Sequence, residues 1–161
     1  MPPHTSLPLD IDDHTALYIL ETQRSFDALR DVASQLAGLL VLAATGAKSA
    51  GPHHPVLDAA RQTLSEASDH VRRVRPTDRA RIHHRHLLAA LVSLQTAMNA
   101  ARVRPAAEDI DSTLLPLRLA YSHLQAAAGR LPGFDLVALA MGCCAVGRIR
   151  PARPSSPVTS R

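Results

Sequence analysis

Residues 69–88 read DHVRRVRPTDRARIHHRHLL, and this stretch decides the fold because a proline divides two helical patterns within it. Pro76 disfavours helical backbone geometry at Arg75, so a helix that arrives from the N-terminal side ends there. Thr77 or Asp78 is well suited to cap the helix that follows. The stretch is therefore predicted to connect two antiparallel helices at one end of a helical bundle.

The apolar pattern on both sides of this connection predicts four helices, at about residues 14–45, 56–74, 79–103 and 109–131. Apolar or small residues recur at intervals of three and four, which places them on one face of each helix. The predicted inward positions are Tyr18, Thr22, Ser25, Leu29, Val32, Leu36, Leu39 and Ala43 in the first helix, Leu57, Ala60, Leu64, Ala67, Val71 and Val74 in the second, Ala80, Leu87, Leu91, Leu94, Met98 and Ala101 in the third, and Ile110, Leu114, Leu117, Tyr121, Leu124 and Ala128 in the fourth.

The ends of the bundle carry the signals that start and stop helices. Asp12 or Asp13 can cap the first helix, and Gly46 can stop it. Residues 1–12 contain three prolines and are predicted to be irregular, whereas residues 147–161, rich in Pro, Ser and Arg, are predicted to be a disordered basic tail. Residues 13–146 are then one all-α domain, an up-down-up-down four-helix bundle.

The fourth helix has a second apolar strip, formed by Leu115, Leu119 and Ala126. A helix with two apolar faces is expected to be covered on both. One candidate cover is the apolar segment at residues 134–146, as a short helix or an extended strap packed on helix 4. The alternative is a homodimer through this strip.

The composition favours a small helical protein with a basic surface. The 161 residues suit a single domain, and strand-forming aromatic residues are scarce, with two Tyr, two Phe and no Trp. The net charge of +4 is compatible with an anionic partner, or with the arginine usage of a GC-rich gene, since Lys48 is the only lysine. No secretory signal or membrane-spanning run is recognisable, so a soluble cytoplasmic protein is expected.

Six arginines gather at the central connection and form what we call the cationic corner: Arg72, Arg73, Arg75, Arg79, Arg81 and Arg85. The last three lie at the start of the third helix, where the helix dipole disfavours positive charge. A phosphate group or an acidic partner surface would relieve that repulsion. The alternative is an ordinary solvated surface.

Histidines and cysteines provide a second hypothesis, a metal or haem site. His83 and His86 are three residues apart on one helix, and His70 lies across the turn from them. Cys143 and Cys144 are adjacent in an apolar stretch, and they are either thiolate ligands or small buried side chains.

His123 lies in the sequence YSHLQAAAGRLPG, which resembles the motif of the histidine phosphotransfer proteins. In that family a lysine and a glycine follow the histidine at three and four residues, whereas Ala126 and Ala127 stand at those positions. No catalytic motif is recognisable, and aromatic scarcity argues against stacking on single-stranded nucleic acid. The sequence therefore predicts a non-enzymatic binding or regulatory protein with an acidic or phosphate-bearing partner. The alternative is a histidine-based metal or haem protein.

Overall fold

The computed structural model describes residues 11–46, 53–103 and 110–136, and these form a four-helix bundle. The helices are α1 (Asp13–Ala44), α2 (Pro55–Arg73), α3 (Arg81–Val103) and α4 (Ile110–Ala128). Each packs against its neighbours in chain order, α4 also packs on α1, and α1 contacts α3 across the centre. The all-α bundle is confirmed, and each helix end lies within three residues of its predicted position.

The helix ends form for the predicted chemical reasons. Asp12 accepts a hydrogen bond from the backbone N–H of Thr15 at 2.8 Å and caps α1. Gly46 follows the last turn of α1 with a φ of 76°, a left-handed conformation that favours glycine. Val74 is extended after the end of α2, and Thr77 accepts a hydrogen bond from the backbone N–H of Ala80 at 3.3 Å just before α3.

The predicted core is confirmed in α1 and α3, and in α2 except for the half-buried Val74. In α4 the predicted face was partly wrong. Leu117 and Leu124 are buried as expected, but four of the predicted residues are only partly buried: Ile110, Leu114, Tyr121 and Ala128. Three residues that were not predicted to face inward are fully buried instead: Thr113, Ala120 and Ala127. The α3–α4 contact is the most extensive in the bundle, and small side chains allow such closely packed helices to approach.

The chain turns back over the bundle after α4. Gly133 has a φ of 88°, which allows the turn, and Phe134 is buried with its ring 5.1 Å from that of Phe26. Leu115 and Leu119 of the second apolar strip are 63% and 53% exposed among the described residues. Residues 137–146, the rest of the segment predicted to cover α4, lie outside the described residues, as do residues 1–10 of the segment 1–12 predicted to be irregular and the predicted tail at 147–161.

Within the described parts of the chain, no helix combines the length and the apolar character that crossing a bilayer requires.

Candidate functional site

A buried polar cluster joins α1 to α3 near the end of the bundle where both helices begin. The hydroxyl of Tyr18 lies 2.9 Å from Nδ1 of His83 and 3.3 Å from Nδ1 of His84. Tyr18 is 2% exposed and His83 is completely buried, while Phe134 covers His83 with a ring-to-ring distance of 4.3 Å. The consecutive residues His83 and His84 are therefore both buried, on the side of α3 that faces α1.

Burial in this cluster favours the uncharged form of both histidine rings. Tyr18 has one hydroxyl proton, so it donates to one imidazole and accepts from the other. Burial, with smaller contributions from His84 and His86, lowers the pKa of His83 to about 4. Burial also lowers the pKa of His84 and raises that of Tyr18. Nε2 of His83 is the one buried side-chain polar atom without a hydrogen-bond partner in the described part of the protein.

A hydrogen-bonded chain links the starts of α1 and α3 beside this cluster. The Thr15 hydroxyl donates to Asp12 at 2.8 Å. Because that proton is engaged, the Thr77 hydroxyl donates to Thr15 across 2.9 Å, while Thr77 itself accepts from Ala80. The hydrogen bonds from Thr15 lower the pKa of Asp12. The two helix starts are thereby held in register, and this fixes His83 and His84 opposite Tyr18.

The cationic corner lies on the surface at the same end of the bundle. All six of its arginines are exposed: Arg72, Arg73, Arg75, Arg79, Arg81 and Arg85. Arg81 forms an ion pair with Asp78, and Arg73 donates to the backbone carbonyl of Asp69 at 2.9 Å. Within the corner, Arg73 lines a groove between α1 and α2, and Arg72 lines one between α2 and α3.

A second pair of histidines lies between α3 and α4, beside the corner. Nδ1 of His86 is 3.5 Å from Nδ1 of His123, and both side chains are partly buried. Burial lowers the pKa of His86, and electrostatic interactions with His123, Arg130 and Arg85 lower it further. Among the described residues, Arg130 and Arg85 bring positive charge to this edge, and no carboxylate is a cause of the shift in the pKa of His86. We call His86, His123, Arg85 and Arg130 the histidine edge.

The residues of the metal or haem hypothesis have separate partners in this structure. His70 is 2.8 Å from the backbone carbonyl of Glu21, His83 contacts Tyr18, and His86 contacts His123. Within the described ranges, no three His, Cys, Asp or Glu side chains are grouped so that they could hold one ion. Cys143 and Cys144 lie outside the described residues.

Sequence reasoning missed three contributors, Thr15, His123 as a partner of His86, and Arg130. Thr15 follows the capping Asp12 by three residues, a spacing that could have identified it. His123 lies on the side of α4 that packs against α3, so its ring meets His86 there, and the motif around it gives no sign of that partner. Arg130 follows the end of α4, and no local pattern connects it with α3.

Comparison with protein-family models, with curated proteins and with solved structures finds no match for this chain. Its class is defined by its own fold, a small all-α bundle with a buried tyrosine–histidine cluster beneath a basic surface.

Proposed function

We propose that this protein is a non-enzymatic binding or regulatory protein whose cationic corner and histidine edge bind an acidic or phosphate-bearing partner. The observation that carries the proposal is that Arg85 and Arg130 lie beside the His86–His123 pair, where no carboxylate of the described residues is a cause of the shift in the pKa of His86. His86 lies close enough to His123, Arg130 and Arg85 for all three to disfavour its protonation. A bound anion would raise the pKa of His86 again, because its negative charge attracts the protonated imidazole and both guanidinium groups.

The exposed arginines extend this positive surface along the start of α3. The first turn of α3 has no acidic residue, although an N-terminal turn is where negative charge is stabilising. Arg81 has Asp78 as a partner, but both side chains are largely exposed, and such pairs contribute little stability. Guanidinium groups bind phosphate and carboxylate with two parallel hydrogen bonds, so exposed arginines suit an anionic partner.

The 3.5 Å separation of the two Nδ1 atoms also resembles that of two ligands on one tetrahedral ion, which is about 3.3 Å for bonds of about 2.0–2.1 Å. The neighbouring charges favour an anion instead, because Arg85 and Arg130 would repel a divalent cation. Metal analysis of the purified protein separates these alternatives. If the purified protein contains zinc, and both His86→Ala and His123→Ala lose it, the two histidines form a metal site and not an anion site.

The direct test measures binding of fluorescently labelled polyphosphate and polyglutamate by anisotropy over a range of salt concentrations. Arg81→Glu combined with Arg85→Glu should weaken binding at least about tenfold, because each charge-assisted hydrogen bond contributes about 1.5–3 kcal/mol. The slope of affinity against salt should also fall, since fewer counterions are released. The two probes distinguish a phosphate-bearing partner from an acidic protein surface.

The matched control is Arg61→Glu combined with Arg118→Glu, an equal change of charge at exposed arginines on α2 and α4 outside the corner. This control should retain most of the binding. Equal losses in both double variants would mean that net charge alone attracts the probes, and unchanged binding in the corner variant would refute the proposed site.

A further inference from the structure

We propose that the groove between α1 and α4 is the docking site for residues 137–146 of this chain. The groove has a volume of about 340 Å³ and is lined largely by apolar or small side chains. Its walls include Ala33, Ser34 and Ala37 on α1, and Leu114, Leu117 and Gln125 on α4.

The path of the chain after α4 leads to this groove. The carbonyl of Gly133 accepts a hydrogen bond from Gln23 at 3.3 Å, and the carbonyl of Asp135 accepts one from Arg30 at 3.3 Å. Between them, Phe134 packs on Phe26. Consecutive residues therefore contact successive turns of α1.

The next turn of α1 beyond the last of these contacts forms the groove wall. Ala33 and Ser34 follow Arg30 by three and four residues, so they lie on the same side of the helix. The described chain reaches Leu136, immediately past the Arg30 contact and still partly buried. Continuing in the same direction brings the chain between α1 and α4.

The composition and length of residues 137–146 fit this place. Their sequence, VALAMGCCAV, contains no charged residue, and an apolar segment gains stability when its side chains leave water. The α4 wall runs from Leu114 to Gln125, a length of about 16 Å at 1.5 Å per residue. Ten residues cover about 15 Å as a helix. An extended chain would need only about five residues to cover that wall.

Amide hydrogen exchange of the full-length protein, read by mass spectrometry for peptides within residues 137–146, tests the proposal. Docking should slow exchange at least about tenfold relative to the unstructured rate, because exchange then requires local opening. Ala37→Arg, which places a long charged side chain in the groove, should remove this protection. Gln35→Arg adds the same charge at an exposed position of α1 outside the groove and should preserve it.

Exchange at the unstructured rate in the unmodified protein would overturn the proposal, and so would protection that survives Ala37→Arg. Protection that appears only at high protein concentration would also overturn it, because the groove would then receive a second copy of the chain. Ser34→Arg, at an exposed position on the groove wall, repeats the test if circular dichroism shows that the Ala37 variant does not fold.

Discussion

The buried imidazole of His83 predicts that acid destabilises this protein well above the pH at which its carboxylates protonate. The pKa of His83 is about 4 in the folded protein, whereas in the unfolded chain it has the ordinary histidine value of 6.5. Between these values the unfolded state binds more protons, so the free energy of unfolding falls as the pH falls. His84 and His86 act in the same direction, because the pKa of each is also lowered.

The size of the effect follows from the shift. A difference of one pKa unit corresponds to about 1.4 kcal/mol, so the His83 shift gives a loss of about 3 kcal/mol across the whole range. Roughly 2.5 kcal/mol of that loss is reached by about pH 4.5, which lies above the window in which Asp12 titrates. For a domain of this size the loss corresponds to a fall in Tm of roughly 10 °C.

His83→Leu isolates this contribution. Near neutral pH the change in the free energy of unfolding should stay within about 1 kcal/mol, because the lost hydrogen bond to Tyr18 is offset by removal of the unpartnered Nε2. Tyr18 also retains His84 as a partner at 3.3 Å. At about pH 4.5 the variant should be the more stable protein by about 2 kcal/mol, since it has no buried imidazole to protonate.

Urea unfolding followed by far-ultraviolet circular dichroism, at about pH 7 and about pH 4.5, measures both free energies. The control is His53→Leu, at an exposed histidine before α2, which should lose stability on acidification as the unmodified protein does. Parallel pH dependences for the unmodified protein and His83→Leu would refute the assignment of acid sensitivity to His83.

Two further predictions concern helix ends and self-association. Thr77→Ala should lower the free energy of unfolding by about 1 kcal/mol, because it removes the hydrogen bonds that join Thr77 to Ala80 and to Thr15 just before α3. Thr96→Ala, at an exposed threonine within α3, should change it by less than about 0.5 kcal/mol in the same urea titration, and similar losses would contradict this role of Thr77. The exposed Leu115 and Leu119 predict a homodimer through α4 at high concentration in sedimentation velocity, which Leu119→Arg should abolish. Val92→Arg, at an exposed apolar residue of α3, should leave the dimer intact, and a monomer throughout would exclude this contact.

The helices were predictable because their information is local. Proline at 76, the caps at Asp12 and Thr77 and the three-four spacing of apolar residues each act within one or two turns of helix. The same local information placed the six arginines of the cationic corner on the surface. It also identified Tyr18 as an inward residue of α1.

The face of α4 was predicted less well because burial there depends on the neighbour rather than on α4 itself. A sequence pattern ranks Leu114 and Tyr121 above Thr113, Ala120 and Ala127 as core residues, since they are larger and more apolar. Close contact with α3 reverses that ranking, because only small side chains fit where two helices approach closely.

The ends of the helices and the meeting of their apolar faces in a bundle follow from the sequence alone, because periodicity and capping are properties of neighbouring residues. Which polar groups lie together in one site depends on the packed structure. Tyr18 meets His83 across a separation of 65 residues, and His86 meets His123 across 37. These pairs depend on the rotation and register of whole helices, which are set by the packing of the entire core. The pKa of His83 depends on that packing too, because the burial that lowers it exists only after the helices have come together.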